Sequence, residues 1–171
     1  MELGFRYFLN QPFFKKIIII NIIVFLLPLV VNTFLFLFNL KQFSLINYFD
    51  LHPGIGDIIR SPWTLISYSF FHIDFFHIFW NMLILFVVCK YFLNFLTNKK
   101  LIEIYFYGAL MGGLFFVISY NIFPVFKNAF SPLIGSSAAV YAVLIFACSY
   151  MPNTKVNLIF FDIKLKYLGL F

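Results

Sequence analysis

Side chains able to do chemistry stand at fixed spacings inside otherwise apolar stretches of this chain. One stretch reads HIDFFHIFWN and contributes His72, Asp74, His77 and Asn81; another reads GSSAAVYA and contributes Gly135, Ser136, Ser137 and Tyr141. A serine hydroxyl attacks a peptide carbonyl only when a general base takes its proton and donors face the oxyanion that develops. His77 and Asn81 are four residues apart and share a helix face, as do Ser137 and Tyr141, whereas His72, five before His77, lies off that face. His77 and Asn81 can therefore act as donors beside the amide of Ser137. Gly135 would let a neighbouring helix or a substrate come close to the backbone. Tyr141, one turn below Ser137, can stack on a base and hold its ring.

Other readings of the same residues stay open. A Gly-Ser-Ser-Ala-Ala run is also the composition of a tightly packed membrane-helix interface, and Asn81 alone fits an interhelical hydrogen bond. His77 is harder to place that way, because histidine within a membrane usually marks a pathway or a site. Asp74 and His72 lie near the interface, where water can solvate them. Gly108, Gly112 and Gly113 form a small-xxx-small pattern and read as packing. No metal is expected: H-E-x-x-H is missing, and HIDFFH has neither its spacing nor a second carboxylate. No aspartate lies deep in an apolar run, so aspartyl chemistry is unsupported too. Cys89 and Cys148 both sit in apolar runs and read as buried reduced thiols.

The elements that must position these residues are membrane helices. The chain is 63% hydrophobic and 11% charged, against about 45–50% apolar and about 25% charged in soluble domains. Lipid is therefore its solvent and the bilayer its first partner. No Lys/Arg run has a nucleic-acid pattern, so no nucleic-acid partner is expected. At 1.5 Å per residue, a hydrocarbon core of about 30 Å takes roughly 20 residues, and four segments qualify: 17–38, 75–96, 101–123 and 133–151. The first is longer than a signal-peptide core of about 7–15 residues and precedes no A-x-A-like site, so it is expected to stay as a span. Residues 39–74 form a long connection broken by Pro53, Gly54, Gly56 and Pro62; its PWTLISYSFF segment is too short to span and rich in aromatics, which predicts an interfacial position. The tail VNLIFFDIKLKYLGLF reads as the approach to a fifth span.

Orientation follows from the distribution of basic residues. With the N-terminus inside, Arg6, Lys15, Lys16, Lys90, Lys99, Lys100, Lys155, Lys164 and Lys166 lie on the inner side, and only Lys41, Arg60 and Lys127 on the outer. This asymmetry predicts a cytoplasmic N-terminus. Both polar clusters then fall about 3–9 Å inside the outer boundary, two clusters from separate helices at one depth.

These residues resemble the rhomboid family of intramembrane serine proteases. The family pattern H-x-x-x-x-H-x-x-x-N is met by His72, His77 and Asn81, and G-x-S-x-x-x-Y by Gly135, Ser137 and Tyr141. PWTLISYSFFH resembles bacterial members, and the likeness runs from about Pro62 onward. It implies an all-α polytopic membrane protein, four complete helices and the start of a fifth from a six-helix core, in a bacterial cytoplasmic membrane. By resemblance Ser137 is the nucleophile, His77 and Asn81 line the oxyanion site, Tyr141 packs on the catalytic histidine and His72 orders the connection over the site. Substrates would be transmembrane proteins cut within or beside their helices, and no cofactor is needed. The rival functions are a non-catalytic rhomboid-like binder of membrane segments and a small transporter subunit, the latter requiring polar residues through the whole membrane depth. The chain departs from the pattern at Trp63-Thr64, where many members carry Trp-Arg. The family's base lies on the sixth helix, yet Phe171 is 34 residues past Ser137 and no histidine follows His77. The chain therefore reads as C-terminally incomplete, expected to be inactive alone and to expose Ser136 and Ala139 toward lipid or a void.

Overall fold

The computed structural model describes residues 6, 8–41, 44–93, 95, 97–126, 131–158 and 161–169. Helix α1 (Phe13–Leu37) carries an apolar run with Pro28 inside it, tolerated because a membrane helix can re-satisfy a freed carbonyl locally. Two short helices follow, α2 (Ile55–Arg60) and α3 (Thr64–Ser67), and a 3-10 turn, Tyr68–Phe70. Helix α4 (Phe75–Phe92) starts at Asp74, whose carboxylate accepts the His77 N–H at 2.9 Å as an N-cap. Helix α5 (Asn98–Ile122) is capped in the same way by Thr97. Helix α6 (Ser137–Tyr150) follows, then strands β1 (Lys155–Leu158) and β2 (Phe161–Lys164) and the single turn α7 (Leu165–Leu168).

Among the described residues, α1, α4 and α5 are long and apolar enough to cross a membrane. The expected fourth span, 133–151, is a helix of only 14 residues. Before it the chain runs extended, with Leu51 and Leu133 exchanging backbone hydrogen bonds at 3.0 and 2.8 Å, and Gly135 at φ +113° breaks any helix that would precede Ser137. At about 21 Å, α6 falls about 9 Å short of the apolar core.

One further expectation is corrected, and two segments are described in more detail. Strands 155–158 and 161–164 pair antiparallel, with Lys155 opposite Lys164 and Val156 opposite Ile163, so the tail read as the approach to a fifth span holds a pair of strands in a mostly helical protein. Its residues alternate, with Val156 buried and Lys155, Asn157, Asp162 and Lys164 exposed, the period of a half-buried strand rather than of a span. The second span ends at Phe92; Leu96, the expected end, and Lys127, counted on the outer side, lie outside the described residues. The PWTLISYSFF segment folds inward in part: Thr64, Tyr68 and Ser69 are buried while Trp63 is exposed.

Helix α6 is central and packs mainly on α5 and α4. The small residues make this possible. A Cβ on Gly108 would run into Ala142 and one on Gly112 into Ala138, so the two helix backbones approach as the small-xxx-small reading requires. Ser136 and Ala139, expected to face lipid or a void, are completely buried. Polar groups are also buried away from the two clusters: Asn21 of α1 is fully buried, with its amide donating to the Ile17 carbonyl at 2.9 Å, and Tyr105 of α5 is buried near it.

Candidate active site

Asp74 fixes the start of α4, so His77 occupies its first turn and Asn81 the next, on the same face. The Asn81 amide donates to the His77 carbonyl at 2.8 Å, which spends one of its two hydrogens and leaves the other. Ser137 is the first residue of α6, and an amide there has no acceptor within its own helix. Ser137, His77, Asn81 and Tyr141 line one open cavity of about 380 Å³, walled by Trp80, Phe76 and Ile84 and with Asp74 at its edge. Ser137 and His77 are half-buried, and Tyr141 is exposed.

Gly135 and His72 lie behind this cavity. A Cβ on Gly135 would meet His77 Cε1 and Nε2 at 2.5 Å, so only glycine fits against that ring. The Gly135 N–H donates to the Tyr68 carbonyl at 3.0 Å, and the Tyr68 hydroxyl donates to the Ala109 carbonyl at 2.8 Å, which ties the turn before Ser137 to α5. Burial pushes the Tyr68 hydroxyl up to about 12, so it stays a neutral donor. The His72 ring meets the His77 ring edge-on with centroids 5.0 Å apart. Its Nε2 lies 3.1 Å from Ser136 Oγ. Burial pushes its imidazole down to about 4, the neighbouring His77 adds to this, and the Phe70 carbonyl and Asp74 oppose it weakly.

All six residues singled out in the sequence thus meet at the head of α6. His72 and Gly135 do so from behind the cavity, and Ser137, His77, Asn81 and Tyr141 around it. Asp74, expected as a solvated bystander, is the helix cap. Tyr68 and Ser136 were not assigned from sequence. Their partners lie 41 and 64 residues away, and no local pattern signals such pairs.

A family model described as the Rhomboid domain matches residues 60–171, more than half of the chain. The chain belongs to the rhomboid family. Similar curated proteins carry the name presenilin-associated rhomboid-like protein, mitochondrial. That of Mus musculus is 26% identical over 122 residues, covering 71% of this chain and 30% of that protein. That of Homo sapiens is 26% identical over 119 residues, covering 70% and 30%. The chain therefore spans less than a third of the length of these rhomboid relatives. Their name places them in mitochondria, which does not support the bacterial membrane expected from the sequence. No solved structure matches.

Proposed function

We propose that this rhomboid-family chain carries the nucleophile and oxyanion side of an intramembrane serine endopeptidase, with Ser137 as the nucleophile. The observation that carries this reading is the shared cavity: Ser137 at a helix head, with His77, Asn81 and Tyr141 around it. Ser137 Oγ attacks the carbonyl carbon of a peptide bond in an unwound stretch of a substrate's membrane helix, and the tetrahedral oxyanion receives the Ser137 amide and donors from His77 and Asn81. The positive end of α6 favours the same charge. Water for the second step enters through the open cavity. The proton of Ser137 passes to a histidine, which by the family resemblance is carried on the sixth helix. The same resemblance gives transmembrane proteins as substrates, with no cofactor.

One observation favours the non-catalytic binder as a second reading. The chain's histidines are His52, His72 and His77; among the described residues, Ser137 Oγ has no hydrogen bond to any of them, and His72 is engaged by Ser136. A Ser137→Ala exchange in the full chain separates the two readings. It deletes one oxygen at a small-residue position, so the bundle stays folded while cleavage of a membrane substrate and fluorophosphonate labelling are lost. His77→Ala and Asn81→Ala lower turnover by about 10–1000-fold. Wild-type cleavage by Ser137→Ala overturns the protease reading; retention of a membrane segment without cleavage or labelling of the wild type establishes the binder.

A further inference from the structure

Strands β1 and β2 place two like charges face to face. Lys155 stands directly opposite Lys164, and both are exposed. Opposed side chains on an antiparallel pair start about 4.5–5.5 Å apart, and like charges there are destabilising. Register slip gives no relief, since a shift of one residue would turn Val156, which is fully buried, to the surface. The strands are also tied to the bundle. The Leu165 N–H donates to the Thr154 carbonyl at 2.9 Å, and Cys148 Sγ of α6 donates to the Leu165 carbonyl at 2.9 Å. The Asn157 N–H donates to the Tyr91 hydroxyl of α4 at 3.3 Å.

Among the described residues no carboxylate answers this charge. Lys155 and Lys164 form no ion pair. Asp162, on the same exposed face, accepts from the Asn157 side chain across the strands at 2.9 Å, and Glu103 of α5 takes Lys100 at 3.2 Å. Lys90 in the last turn of α4 adds to the positive field at this end of the bundle. Helix α6 ends at Tyr150 and β1 begins at Lys155, so the opposed lysines lie where a membrane helix leaves the hydrocarbon, at the depth of lipid headgroups.

We propose that Lys155 and Lys164 form a binding site for the headgroup of an anionic phospholipid, on the membrane face at the far end of α6 from Ser137. Each lysine carries three donors on a flexible stem, so two ammonium groups on opposed strand positions can converge on one phosphodiester. A headgroup with net negative charge offsets the repulsion within the pair. Phosphatidylcholine brings its own cation with its phosphate and leaves the pair uncompensated. Free phosphate has the charge but lacks the acyl chains that hold a headgroup at this surface. The bound lipid clamps the strand pair, and with it the end of α6, to the bilayer surface. This site does not depend on the reading of Ser137 as nucleophile.

The test compares melting of the full chain in vesicles of phosphatidylcholine alone and of equal parts phosphatidylcholine and phosphatidylglycerol. In phosphatidylcholine, Lys155→Gln or Lys164→Gln relieves the repulsion and raises the melting temperature by about 1–3 °C. Combining the two exchanges adds nothing further there, because the first has already removed the pair. In the mixed vesicles the wild type gains about 4–8 °C and either variant less than half of that. The order of stability therefore reverses between the two lipids. Lys41→Gln, a lone exposed lysine, serves as the control for diffuse attraction to a charged surface and shows no reversal. Native mass spectrometry reads binding directly: phosphatidylglycerol stays on the wild type and is lost from the double variant. Unreversed order, an equal loss in Lys41→Gln, or equal lipid retention by wild type and double variant would each overturn the proposal. So would inorganic phosphate producing the same gain in phosphatidylcholine vesicles, since that assigns the lysines to a free anion.

Discussion

The backbone of Gly135 lies directly against the imidazole of His77, with no room for even one more carbon between them. Gly135 also sits at φ +113°, a conformation that side-chain-bearing residues rarely adopt. Sterics and backbone conformation thus demand glycine at the same position. Gly135→Ala should displace the His77 ring or the turn before Ser137. A cost of about 1–3 kcal/mol in stability is expected, with turnover down by roughly 100-fold or more, as when an oxyanion donor is lost. Thermal melting and cleavage of a membrane substrate on the same preparation check both.

Acid should loosen the region around His72. Its ordinary value of 6.5 drops to about 4 in the folded protein, so the unfolded state binds the proton first as pH falls. Stability from the buried neutral ring is complete above about pH 6.5, is lost progressively as pH falls toward 4, and stops changing below that. The change is on the order of 3 kcal/mol. Melting curves between pH 8 and pH 4 should show this slope in the wild type and lack it in His72→Gln, which has nothing to titrate at that position. Equal slopes in the two proteins would exclude His72 as the source.

Helices α5 and α6 meet through glycine. A Gly108 Cβ would collide with Ala142 and lie 3.2 Å from the Ala139 backbone, so Gly108→Val must push the helices apart. Overpacking of this kind costs typically about 1–3 kcal/mol. Because α6 carries Ser137, the exchange should also lower activity without touching the cavity. Unchanged melting temperature and turnover would mean that the contact is slack.

The excess of basic residues on one side predicts that the N-terminus is cytoplasmic and that residues 39–74 are outside. Asn47 and Thr97 are both exposed and fall on opposite sides of this scheme. Cysteine at position 47 should react with an impermeant reagent in intact cells, and cysteine at position 97 only after lysis. The reverse pattern would turn the protein over in the membrane.

The membrane class and the meeting of the two polar clusters were legible in the chain because both depend on local properties. An apolar run long enough to cross a bilayer is helical whatever surrounds it, since lipid leaves its backbone no other way to satisfy its hydrogen bonds. Once a helix is assumed, a spacing of four residues puts His77 with Asn81, and Ser137 with Tyr141, on shared faces. The limits of α6 were not legible from apolarity. Residues 133–136 are as apolar and small as a helix interior, but they are kept out of the helix by the Leu51–Leu133 bridge and by the Gly135 turn. The hairpin was hidden for a related reason, because a short apolar tail reads the same as a strand or as the start of a span. Only the folded chain decided the partner of Ser136. Its hydrogen bond spans 64 residues of sequence, and which of two adjacent serines faces water and which faces His72 depends on how α4, α5 and α6 pack together. A repeat of identical residue types carries no record of that choice; a buried, directional contact between distant segments makes it.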